Sequence, residues 1–476
     1  MDFNWNPPRK FYWEGAVIAA VGLMLLINLL HWHGAVALMT LPGALIMTGA
    51  GVGLLLWTGD SRLTQYAALG AVVTALALPF LALSGEALNA LFFALALIAA
   101  YLAAARVSLY NYPRIAGAPD VAGHLKALAV IAMDEALMAW FKLVARAPRG
   151  QDAVRIADEL ARWEDYLGRT NWRNAPHAWH ETPPDLIKVD SRDRRVMGKS
   201  FRHISFESGY APDSDMPGAT RWLSYENNRT AHAWVLEHAG AARPWLVCIH
   251  GYRMGSPMAD LKVFDPDFFH HKLGLNVVCP ILPLHGPRKK GLMSGEGYLE
   301  GDFIDFLHAE RQAQWDIRRI LSWLRLVKHA PRVGVYGVSL GGYNTALLAG
   351  LDDDLACAVA GIPVTDIAQT HWRHFPPLEL KMMERHGVTL ERVQKALSGV
   401  NPLNFPVKLE SHRLGIYAGS VDTLVWPDQP LNLQKHWGSA RLNWYDGSHM
   451  SFAGERAVTR TLTETFSNAG LMNNTA

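Results

Sequence analysis

Four apolar stretches crowd the first quarter of this 476-residue chain: Phe11 to Leu30, Ala35 to Trp57, Leu63 to Leu83 and Ala87 to Ala105. Each approaches the ~20 residues that a helix needs to cross a ~30 Å hydrocarbon core. Lipid offers the backbone no hydrogen-bond partners, so such segments must satisfy their N–H and C=O groups internally, as helices do. Charges inside them are nearly absent; Glu14 lies near one end, within reach of headgroups. A helix buried in a soluble protein is seldom apolar all round for this length, and four in succession are rarer still. A cleavable signal peptide would explain only the first stretch, and the A-x-A-like cleavage context is missing. The expectation is a four-helix transmembrane region over residues 1–110 with very short loops.

Lysine and arginine beside these spans set an orientation. Arg9, Lys10, Arg62, Arg106 and Arg114 all fall on one side, while the loops 31–34 and 84–86 carry neither residue. Both termini are therefore expected in the cytoplasm. Glycines at Gly43, Gly49, Gly51 and Gly53 suit close helix packing. The overall charge of +2, with half the residues hydrophobic and 18% charged, averages an apolar front with an ordinary soluble remainder. That remainder is long enough for one substantial domain. Neither half is basic enough to suggest nucleic acid, and no zinc-finger or P-loop spacing occurs. Cys248, Cys279 and Cys357 each sit in an apolar strand-like run. An odd number of buried cysteines argues against a disulfide framework and fits a reducing compartment, where the sequons at Asn228 and Asn473 would be accidental.

The chemistry is concentrated further on. An apolar strand, Val333 to Tyr336, runs into Gly337-Val338-Ser339-Leu340-Gly341, and a helix-forming stretch from Tyr343 to Ala349 follows at once. A serine on so sharp a turn sits in strained backbone, and glycines two before and two after let neighbouring backbone pass closely. The helix N-terminus behind Ser339 favours developing negative charge. A hydroxyl is a poor nucleophile at neutral pH, so a base and an orienting acid must follow. Leu414 to Ala418 reads as a strand that ends in Gly419-Ser420-Val421-Asp422; Arg441 to Tyr445 reads as another, ending in Asp446-Gly447-Ser448-His449. Loops past the carboxyl ends of parallel strands are where catalytic groups gather. His449 is assigned as the base for Ser339, with Asp422 as the partner of His449 Nδ1. Asp366, after the preceding strand, is the rival acid. His250 and His285 are read as structural residues, His285 also as a candidate for the pocket rim.

Strand Trp245 to Ile249 ends in His250-Gly251-Tyr252. With this motif, the elbow and the order Ser339, Asp422, His449, the chain resembles the α/β-hydrolase superfamily from roughly Phe201 to the C-terminus. The resemblance is to esterase-like hydrolase-domain proteins. It implies that the backbone N–H groups of Tyr252 and Leu340 receive the tetrahedral oxyanion, although Arg253 and Met254 extend the same loop. It also implies a cap where residues 362–412 interrupt the strands. The fold class expected is α/β, a doubly wound, mostly parallel sheet preceded by the transmembrane region.

Residues 111–190 read as a helical connector and 191–476 as the hydrolase domain. Within the connector, Asp120 to Ala145 is mostly apolar and Asp152 to Leu167 plainly amphipathic. A fifth span there is disfavoured because Asp134 and Glu135 would sit mid-helix. The connector is expected either in the membrane interface or packed on the hydrolase, the latter favoured slightly. The function expected is a membrane-tethered serine hydrolase that needs no metal or organic cofactor. Its leading substrate is an acyl ester, a lipid or other apolar ester above all, because the site would lie beside a bilayer. A peptidase, thioesterase or acyltransferase would use the same triad, and a non-catalytic membrane scaffold is the alternative outside enzymes. A transporter is disfavoured, since the spans lack buried ionisable groups.

Overall fold

The computed structural model describes residues 12–56, 61–121, 123–145, 148, 150–170 and 176–472. Arg9, Lys10, Trp57 and Asn473 lie outside them. By its internal contacts the chain forms two compact units: Met1–Val144 with Gly419–Pro427 and Tyr445–Phe452, and the remainder.

The first unit contains α1 (Glu14–Asn28), α2 (Gly34–Leu56), α3 (Ser61–Ala75), α4 (Leu78–Leu83), α5 (Ala87–Tyr110) and α6 (Leu125–Val144). Among the described residues, three segments, not four, are long and apolar enough to cross a membrane: Gly34–Leu56, Arg62–Leu83 and Ala87–Tyr110. The expected first span is corrected on length. As a helix it runs 15 residues, about 22 Å at ~1.5 Å per residue, short of the hydrocarbon thickness. Glu14 does not reach outward either; it is buried and ion-paired with Arg106 at 3.2 Å. The third segment breaks between α3 and α4 just before Pro79, which has no N–H to continue the ladder.

Ile18, Leu25, Met47, Leu54, Phe93 and Leu97 form the inner seam of this unit. Leu38, Leu83, Leu88, Leu91 and Leu95 face outward and exposed, the reverse of the polar outer face of a soluble bundle. A Cβ on Gly51 would stand 2.3 Å from the backbone nitrogen of Ala19, so α1 and α2 pass in backbone contact; Gly49, by contrast, faces open space. Helix α6 carries Lys126, Asp134, Glu135 and Lys142, is not among the helices apolar enough to cross, and packs on α3 and α5.

The second unit is built on the sheet. Its strands are β1 (Asp190–Val196), β2 (Lys199–Glu207), β3 (Thr230–Leu236), β4 (Trp245–Ile249), β5 (Asn276–Pro280), β6 (Val333–Val338), β7 (Cys357–Gly361), β8 (Leu414–Gly419) and β9 (Arg441–Tyr445). They lie in the order β1-β2-β3-β5-β4-β6-β7-β8-β9. The first three and the β3–β5 pair are antiparallel; β5, β4, β6, β7 and β8 run parallel. The parallel strands are buried throughout, as expected where helices cover both faces. The helices of this unit are α7 (Gln151–Arg169), α8 (Ala219–Leu223), α9 (Pro257–Val263), α10 (Phe303–Leu326), α11 (Leu340–Ala349), α12 (Ile367–His374), α13 (Pro377–Arg385), α14 (Leu390–Ala396), α15 (Asp428–His436) and α16 (Arg456–Asn468). The expected mostly parallel α/β sheet is what forms.

Helices α12 to α14 fill the excursion between β7 and β8. The amphipathic connector helix α7 packs against α13 and α14. Trp163 is fully buried there, with its indole N–H donating to the Ala396 carbonyl at 3.1 Å, and Arg392 holds Glu164 through two bonds of 2.9 Å. Asn228 is buried and accepts from the Leu284 N–H at 2.9 Å. Cys248, Cys279 and Cys357 are buried free thiols.

Candidate active site

Ser339 joins β6 to α11 with φ 56° and ψ −116°, a region that side-chain-bearing residues enter only under constraint. The constraint is visible. Its N–H donates to the Gly361 carbonyl at 2.8 Å, and its own carbonyl accepts from Tyr343 at 3.0 Å. A Cβ at Gly337 would lie 2.1 Å from the Gly341 oxygen, and one at Gly341 would lie 1.9 Å from the Ile249 oxygen. No other residue fits either position. Leu340 opens α11, so its N–H has no carbonyl to bond within the helix.

The loop after β4 lies against this turn: a Cβ built on Gly251 would come within 3.6 Å of Ser339 Cβ. Tyr252 follows directly. Arg253, at φ 65°, donates to Glu300 at 2.8 Å and covers the Tyr252 ring, which fixes the loop. His250 is fully committed. Its Nε2 accepts from the Leu282 N–H at 3.1 Å, so Nδ1 carries the proton and donates to the Gly251 carbonyl at 2.8 Å. Burial holds its pKa below the ordinary value. His285 Nδ1 lies 2.9 Å from the Pro283 carbonyl, and its ring packs edge-on to His250 and Tyr298. Both are structural in this geometry.

Asp422 and His449 belong to the first unit, Ser339 to the second. Asp422 Oδ1 accepts from the N–H groups of Leu424 (3.0 Å) and Val425 (2.7 Å), which aims Oδ2 at His449 Nδ1, 2.7 Å away. Both side chains are buried. Burial is the largest influence on His449 and opposes its charged form. The charge and hydrogen bond of Asp422, joined by the charge of Asp134, outweigh it and raise the imidazole above its ordinary pKa. Asp366 is engaged differently: Oδ1 caps α12 through the Gln369 N–H at 2.9 Å, and Oδ2 accepts from Gln394 at 2.6 Å.

Asp134 is the residue that sequence reasoning missed near this pair, having counted it only as a penalty in a lipid-spanning helix. The available signal was an adjacent acidic pair in an otherwise apolar helix. Among the described residues, no group of three or more His, Cys, Asp or Glu side chains is arranged to hold a metal ion.

Residues 319–443, from the elbow's preceding helix to the last strand, match the prolyl oligopeptidase family model. Sheet, elbow and this match together define the class: a serine hydrolase on an α/β-hydrolase fold. The chain belongs to the family of two Mycobacterium tuberculosis proteins, "Uncharacterized protein Rv2627c" of strain ATCC 25618 / H37Rv and "Uncharacterized protein MT2702" of strain CDC 1551 / Oshkosh. Each is 39% identical to it over 334 residues, covering 69% of this chain and 80% of the relative. Among solved structures, it is similar to the acetyl xylan esterase from Paenibacillus sp. R4 (18% identity, 63% of this chain and 93% of the other, TM-score 0.45). It is also similar to the Pyrococcus horikoshii acylaminoacyl peptidase (14% identity, 61% and 43%, TM-score 0.36).

Proposed function

We propose that this chain is a membrane-associated serine hydrolase that cleaves an acyl ester through Ser339, His449 and Asp422. The observation carrying the proposal is the 2.7 Å contact between Asp422 Oδ2 and His449 Nδ1, the pairing that fixes the tautomer with the proton on Nδ1 and makes Nε2 the basic nitrogen. Ser339 Oγ attacks the acyl carbonyl while His449 Nε2 takes its proton. The N–H groups of Tyr252 and Leu340 receive the oxyanion. His449 then returns the proton to the leaving alkoxide, and water releases the acyl group by the same route in reverse.

Three apolar helices support attachment to a bilayer, and the flanking Arg62, Arg106 and Arg114 support a cytoplasmic site. That location favours apolar esters, lipids among them, because the membrane concentrates them. A second reading, hydrolysis of a peptide bond, is supported by the prolyl oligopeptidase match. In membranes carrying the full chain, a fluorophosphonate probe is expected to label the wild type and not Ser339→Ala. Labelling that survives the substitution removes Ser339 as the nucleophile. Turnover of a p-nitrophenyl acyl ester series against peptide anilides then separates the two substrate classes.

A further inference from the structure

Asp134 is buried on α6, next to a second buried carboxylate, Glu135. Burial and the charge of Asp422 push the Asp134 pKa up to about 7, against the pull of His449 and the hydrogen bonds it accepts. The carboxylate therefore becomes charged as pH rises through that value, and it is stable inside the protein only where donors surround it. Asp134 Oδ2 accepts from the backbone N–H of His449 at 2.9 Å, and Oδ1 from the Ser448 hydroxyl at 2.9 Å. The N–H groups of Met450 (3.3 Å) and Thr423 (3.4 Å) complete the shell. All four donors belong to the two loops that carry His449 and Asp422. Glu135 turns to the helices instead, accepting the hydroxyls of Thr64 on α3 (2.7 Å) and Ser108 on α5 (2.9 Å).

Further ties run the same way. Val421, beside Asp422, is buried in a cluster with Ala105, Ile131 and Ala132. The Tyr112 hydroxyl donates to the Asp422 backbone carbonyl at 3.0 Å. Both loops group with the N-terminal helices rather than with the sheet.

We propose that Asp134 is a positioning residue for the hydrolytic reaction: its carboxylate fixes the backbone of the base loop and sets a second negative charge behind His449. The apolar helical region is thereby part of the catalytic apparatus as well as an attachment. This inference rests on the reading of His449 as the base. From the neutral base, the imidazolium forms as Ser339 gives up its proton, so a charge behind the ring is worth most in the transition state. The donors facing Asp134 require an acceptor at both oxygens. An amide would turn its NH2 toward one of them. The titratable groups around Asp134 are His449 and Asp422 on the loops, Tyr101 on α5 and Glu135 on α6.

The test uses the full chain in detergent micelles with a p-nitrophenyl ester. In Asp134→Asn, kcat is expected to fall roughly ten- to a hundredfold, the range for groups that orient a functional side chain, with KM nearly unchanged. The acid limb of the pH–rate profile is expected to move to lower pH, because the imidazolium loses a supporting charge. Wild-type kcat with an unmoved limb overturns the proposal. So does a loss that merely tracks the folded fraction, with the limb in place. Should Asp134→Asn not fold, Ser448→Ala removes one donor and leaves the carboxylate. A severalfold lower kcat in a folded protein is then expected, and an unchanged kcat overturns the proposal. Ser339→Ala run in parallel separates the two claims: activity without Ser339 defeats the reading of the site, whereas a dead Ser339→Ala beside a normal Asp134→Asn defeats only the role of Asp134.

Discussion

Asp422 divides its two oxygens between two tasks, one tied to the backbone of its own turn and the other aimed at His449. For the proposed role of Asp422, the division predicts that an amide cannot substitute. Asparagine keeps the shape, but its side chain cannot both accept from the turn and accept from a protonated Nδ1 while supporting an imidazolium. Asp422→Asn is expected to lower kcat by about 10⁴-fold with little change in KM, read by steady-state ester hydrolysis. Asp366→Ala serves as the contrast. Losing that cap costs about 1 kcal/mol of stability and leaves the rate intact. The sign of the pH dependence follows from His449. As the proposed base, His449 must be neutral, and its pKa is raised, so activity is expected to be lost as pH falls through a midpoint above the ordinary value of about 6.5. A wild-type midpoint at or below that value contradicts the Asp422–His449 coupling.

At the level of elements, legibility tracked hydrophobic pattern. β4 to β8 were readable because buried parallel strands are continuous apolar runs. β1 was not: its sequence Asp-Ser-Arg-Asp-Arg-Arg-Val is nearly all exposed at the sheet edge, held by pairing with β2 rather than by burial. Charge on an edge strand also discourages pairing with another chain. Helix α7 was readable as amphipathic, yet periodicity alone names no partner for the apolar face. The partner is the helical excursion between β7 and β8, through Trp163. Trp163→Ala is expected to cost about 3–5 kcal/mol, seen as a lower midpoint of thermal unfolding in detergent. A cost below about 1 kcal/mol would show that α7 merely rests on α13 and α14.

At the scale of the whole molecule, the apolar helices, α6 and the loops that carry Asp422 and His449 fall in one compact unit. The outward leucines of α2, α4 and α5 form an apolar exterior that would suit lipid, and the proposed cytoplasmic orientation rests on the basic flanks. A reporter fused to the C-terminus is expected to be active in the cytoplasm, with the protein retained in membranes after carbonate washing. A signal from the opposite side reverses the proposed orientation.

The linear chain determined the strand-and-helix alternation, the serine turn and its two obligatory glycines, and the apolar front, because each is written in local periodicity or in a short-range steric demand. It named Asp422 and His449 from their places after strands, without their distance. Folding alone decided that the first apolar helix is too short to span and that Glu14 turns inward to Arg106. It alone decided that Asp134, which looks misplaced in an apolar helix, is surrounded by donors from residues about three hundred positions away. Such a site is invisible along the chain because the donors are mostly backbone N–H groups, which every residue has. Only their convergence on one carboxylate carries information.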